Sequence, residues 1–89
     1  MINPQLTQTI AETIASQGID ETVIGLLREQ HPGIHFTYCM DDDIPDQSPV
    51  LEHPEFNLYL VDGKDHCLCL TQSYEQASGF VVAEIVEYD

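Results

Sequence analysis

A chain of 89 residues has room for one domain with a thin core, which excludes a catalytic cleft between two domains. Apolar residues make up 43% of it and charged residues 20%, a globular balance that excludes a disordered chain. Sixteen acidic residues stand against two basic ones, Arg28 and Lys64, for a formal charge of −14, which excludes nucleic acid and anionic membranes as partners because both are held by Lys and Arg.

The first predicted element is a helix opened by Asn3 as cap and Pro4 at its first position, with Leu6, Ile10 and Ile14 along one face and Gly18 as its stop. Asp20 caps a second helix, Ile19 is placed to staple against Ile24, and Val23, Ile24 and Leu27 form its apolar face. Pro32-Gly33 ends it, so residues 1–33 read as a helical hairpin. From Ile34 the period becomes two: Ile34, Phe36 and Tyr38 alternate with His35, Thr37 and Cys39, a strand.

Residues 40–55 carry Asp41-Asp42-Asp43, then Asp46, and three prolines, with little periodicity. They read as a long acidic loop, and loops beyond about 12–15 residues in small domains tend to be functional or mobile. Residues 56–61 and 66–71 are apolar runs about Asp62-Gly63, a hairpin signal. One helical turn is expected over 73–78, with Ser73 and Gln76 as a capping box and Gly79 as its stop, and a last strand over 80–86. The expected architecture is α+β: a single domain over 1–89 with the helical hairpin on one face of a four-stranded, largely antiparallel sheet formed within 34–89.

In that sheet both alternating sets of the middle strands are apolar: Phe56, Leu58 and Leu60 against Tyr59 and Val61. Two helices cover one face only, so the other, with Tyr59, is expected to meet a second chain, most economically a second copy in a homodimer. The acidic cluster Asp41, Asp42, Asp43 and Asp46 is expected to dock a protein with a basic surface. It lacks the spaced ligands and the glycine of a calcium loop.

Cys67, Cys69 and His66, with Cys39 and His35 from another strand, are the thiols and imidazoles from which a soft-metal or iron–sulfur site could be built. The spacing argues against it: in a strand Cys67 and Cys69 share a face that His66 does not, and C-x2-C is absent. A two-residue turn at Asp62-Gly63 would set Leu58 opposite Cys67 and Phe56 opposite Cys69, making both thiols inert core, whereas a three-residue loop would set them beside Tyr59. Cys39 and His35 lie about 13 Å apart along an extended strand, too far for a nucleophile and its base. No nucleophile elbow and no phosphate-binding glycine loop occurs, so catalysis has weak support and no cofactor is implied. No segment resembles a signal peptide or a membrane span, and three cysteines, an odd number, suit a reducing compartment, so a cytoplasmic location is expected.

The run Pro32-Gly33-Ile34-His35-Phe36-Thr37 leading into Cys39 and Asp41-Asp42-Asp43, with Phe56-Asn57-Leu58-Tyr59-Leu60-Val61-Asp62-Gly63 and His66-Cys67-Leu68, resembles a family of small uncharacterised acidic proteobacterial proteins encoded near nitrogen-fixation genes. That resemblance implies a context in nitrogenase maturation, electron supply or its regulation and transfers no catalytic residue. The resulting expectation is a non-enzymatic accessory or adaptor protein. The alternatives are a metal or iron–sulfur trafficking protein using the five Cys and His residues above, and a small enzyme with a pocket at a dimer interface.

Overall fold

The computed structural model describes residues 2–44, 48–63 and 69–85, with the backbone alone at Cys69. Helix α1 spans Pro4–Gln17 and α2 spans Glu21–Gln30. Both begin as their sequences dictate: the Asn3 side chain accepts from the Leu6 N–H at 2.7 Å and the Asp20 side chain from the Val23 N–H at 2.9 Å. Gly18 ends α1 at φ 90°, a backbone state that costs other residues energy, and its N–H closes on the Ile14 carbonyl.

Five strands follow: β1 (His35–Met40), β2 (Leu51–Glu52), β3 (Phe56–Asp62), β4 (Cys69–Thr71) and β5 (Gly79–Glu84). They form one mixed sheet in the order β1-β5-β3, with β2 on the far edge of β3 beside its first residues and β4 beside its last ones. The α+β class holds, with one strand more than expected. β2 supplies it from the stretch expected to be irregular, where Leu51 pairs with Leu58. The β1–β5 pair is parallel, and β5 is antiparallel to β3.

Residues at even positions of β1, β3 and β5 face the helices. Phe36, Phe56, Leu58, Leu60, Phe80 and Val82 pack there with Ile10, Ile14, Val23, Ile24 and Leu27 into the main core. At about 25 cal/mol per Å² of apolar surface, burial of this set is the chief stabilising term. The odd positions build a second, smaller cluster of Tyr59, Val61, Val81 and Ala83, none more than 8% exposed, with Cys39, Ile44 and Leu70 packed around it. This corrects the expectation of an open apolar face: in the single chain its central residues are already out of water.

Two local expectations also change. β3 and β4 pair antiparallel, as expected, but in a register that sets Asp62 opposite Cys69 and Val61 opposite Leu70, not the one in which a two-residue turn at Asp62-Gly63 would set Phe56 opposite Cys69. The segment before β5 makes only a turn closed by the Gln76 N–H on the Ser73 carbonyl. Ser78 is drawn instead into the sheet: its N–H donates to Val61, its carbonyl accepts from the His35 N–H, and its hydroxyl accepts from the Gly63 N–H at 2.9 Å. Those bonds compete with a helical turn for the same backbone groups.

Candidate functional site

The acidic stretch that follows β1 is a single 3-10 turn, Asp41–Asp43, closed by the Ile44 N–H on the Asp41 carbonyl at 3.1 Å. Its three carboxylates have different fates. Asp41 Oδ1 accepts from Asn57 Nδ2 at 2.9 Å and from the Tyr59 hydroxyl at 3.0 Å. Both donors lie on β3, so this carboxylate reaches from the end of β1 across β5. The strand register places Ala83 between Cys39 and Asn57 in the row beneath, and the small methyl leaves room for the crossing. At the other end of the turn Ile44 packs onto the second cluster. Pinned by a carboxylate at its start and an apolar side chain at its end, the turn presents Asp42 and Asp43 to solvent; both are exposed.

Electrostatics around the turn follow from this placement. Burial holds the Tyr59 phenol above its ordinary pKa, and the Asp41 carboxylate it bonds to adds to the shift. Burial likewise raises the Cys39 thiol, with the negative charges of Asp43 and Asp41 adding to it. A thiol raised in this way is less readily converted to the thiolate that nucleophilic attack requires.

The predicted partner-binding set is therefore divided. Asp42 and Asp43 are surface carboxylates, Asp41 is an internal brace, and Tyr59, at 5% exposure, is the buried group that holds the brace. In the single chain the Tyr59 side chain is turned to Asp41 and not to solvent. Asp46 lies outside the described residues. Sequence reasoning missed Asn57, although a polar side chain inside the apolar run of β3 was a signal that it must find a partner.

Of the predicted metal set, Cys67 and His66 lie outside the described residues, and Cys69 is described by its backbone only. His35 and Cys39 share the odd rows of β1, His35 exposed and Cys39 half-buried. Among the described residues no group of three or more His, Cys, Asp and Glu side chains is placed to hold a metal ion. Nor is any helix among them long and apolar enough to cross a membrane.

A second feature lies beside β1. β1 is an edge of the sheet, and α2 runs beside it, leaving a cavity of about 470 Å³ lined by Glu21, Ile24, Arg28, Thr37 and Tyr38. Arg28 Nη2 donates to the Phe36 carbonyl at 2.8 Å, and the Tyr38 hydroxyl bonds to Glu84 Oε1.

Compared with known proteins, residues 10–85 match the model of DUF6129, a family of unknown function, a match that runs from within α1 to the residue after β5. No curated protein and no solved structure matches the chain.

Proposed function

For a chain that belongs to DUF6129, a family of unknown function, we propose a non-enzymatic adaptor role, in which the turn after β1 docks a protein with a basic surface. The observation that carries this reading is the division of labour in the turn: Asp41 is bound inward by Asn57 and Tyr59, and Asp42 and Asp43 are thereby held outward. A carboxylate pair on a braced turn loses less conformational freedom on binding than one on a loose loop. The field of a chain with net charge −14 steers a basic partner toward it. The apolar sheet face is no part of this reading, because its residues are buried. The resemblance to small acidic proteobacterial proteins encoded near nitrogen-fixation genes directs the search for the partner to nitrogenase maturation and electron supply.

The test compares the full chain with its Asp42→Asn/Asp43→Asn variant, both immobilised and exposed to a lysate of the organism that encodes it. Since both side chains are exposed, the variant should keep the wild-type circular dichroism spectrum and melting temperature. The expected result is a basic protein retained by the wild type, lost from the variant, and released from the wild type by raised salt. An identical set of retained proteins on both would remove the turn as a docking element.

A further inference from the structure

The free edge of β1 adds a second element to this docking reading, on which the inference rests. In a parallel pair, alternate residues of a strand direct their N–H and C=O groups to the partner, and the residues between direct theirs away. The His35 N–H donates to Ser78, next to β5, so His35, Thr37 and Cys39 face β5 while Phe36, Tyr38 and Met40 turn their backbone groups to the outer edge. The bond from Arg28 to the Phe36 carbonyl shows that outward direction and takes up one acceptor. It leaves a short stretch, Tyr38 to Met40, whose outward groups face no strand among the described residues.

The cavity between α2 and β1 lies along this stretch. Because α2 and β1 are joined by a tight reversal at 31–34, Glu21 at the start of α2 lies toward the Met40 end of the strand and Arg28 toward its beginning. Asp41 follows Met40, and Asp42 and Asp43 come next in the same turn. Glu21 thus stands toward the Met40 end of the edge, the exposed Asp42 and Asp43 lie in the turn that follows that end, and the single described cation, toward the other end, is engaged with backbone.

We propose that this edge takes an extended segment of a basic protein as an additional strand. The segment bonds through its main chain to Tyr38 and Met40, and its Lys or Arg side chains lie toward Glu21, Asp42 and Asp43. An exposed strand edge is a template for such pairing, and Arg28 limits it to a few residues. So short a ladder binds weakly by its hydrogen bonds alone, and the carboxylates supply the rest and the selectivity.

The probe is an acetylated peptide of alternating Arg and Val with an amidated end, and two analogues of equal charge, each N-methylated at one alternate set of amides. Binding to the isotope-labelled full chain is followed by amide exchange and chemical shifts. The parent peptide should slow exchange at Tyr38 and Met40. One methylated set, the one whose amides face β1, should bind about tenfold more weakly, as loss of one or two hydrogen bonds requires, and the other should bind like the parent. Equal binding of all three, with shifts confined to Asp42 and Asp43, would overturn strand addition and leave charge-only docking at the turn. Binding by none would overturn it as well, while the retention experiment above decides the adaptor reading separately.

Discussion

Asp41, Asp42 and Asp43 are indistinguishable in sequence, and the fold separates them by what lies across the sheet. Among the described residues only Asp41 meets donors, Asn57 and Tyr59, and the Tyr59 hydroxyl is buried where losing its acceptor is costly. Asp41→Ala should therefore lower stability by about 1–3 kcal/mol in urea unfolding, whereas Asp42→Ala should stay within about 0.5 kcal/mol of the wild type. Equal effects at the two positions would contradict the brace. The same contacts fix a pH dependence. Tyr59 and Cys39 both hold their protons more tightly in the folded chain than free groups do. The unfolded chain therefore loses its protons first as pH rises. Stability from these groups is complete below the ordinary thiol and phenol ranges, about 8.5 and about 10, and declines through and above them. Urea midpoints measured from neutral to strongly alkaline pH should fall, less steeply in Tyr59→Phe and Cys39→Ala than in the wild type. Identical slopes in all three would show that neither group titrates anomalously. Apart from the signal of a polar Asn57 inside an apolar run, none of this was legible from sequence, because the partners of Asp41 are 16 and 18 residues away and only the sheet order joins them.

At the scale of elements, what could be read locally was read well. Both helices carry their caps and stops within a few residues, and Asn3, Pro4, Gly18 and Asp20 act as such signals should. β1, β3 and β5 follow from alternation, although their order and the parallel β1–β5 pair do not, since nothing local distinguishes one apolar strand from another. The runs about Asp62-Gly63 do pair antiparallel, but β3 continues to Asp62 opposite Cys69, so the chain does not reverse at that dipeptide. Gly79 was read as the stop of a helical turn and is instead the first residue of β5, at a place where only hydrogen fits. A Cβ there would lie 2.4 Å from the His35 carbonyl oxygen, a backbone atom that cannot swing away. Gly79→Ala must push β1 and β5 apart at the start of their pairing. Overpacking of this kind costs about 1–3 kcal/mol, or roughly 4–20 °C in melting temperature for a domain of this size. Thermal unfolding of the variant reads it directly, and an unchanged melting temperature would mean that the two strands do not approach so closely.

For the whole molecule, charge and apolar burial act in one direction. The prediction of a homodimer started from a sheet with more apolar surface than two helices can cover, and that inference assumed the second face was bare. With Tyr59, Val61, Val81 and Ala83 each at most 8% exposed in the single chain, that surface has little left to gain from a second copy. Two copies would also each bring a formal charge of −14 to the contact. Such repulsion is strongest at low ionic strength and is screened within about 10 Å at 0.1 M salt. The two forces can be separated by sedimentation over a range of salt concentrations. A chain whose apolar surface is satisfied internally should sediment as a 10.0 kDa particle throughout, because screening the charges uncovers no latent attraction. A mass that doubles as salt rises would mean that an apolar interface exists and that charge alone holds the copies apart. In that case the second face, and not the turn after β1, would be the first surface to mutate.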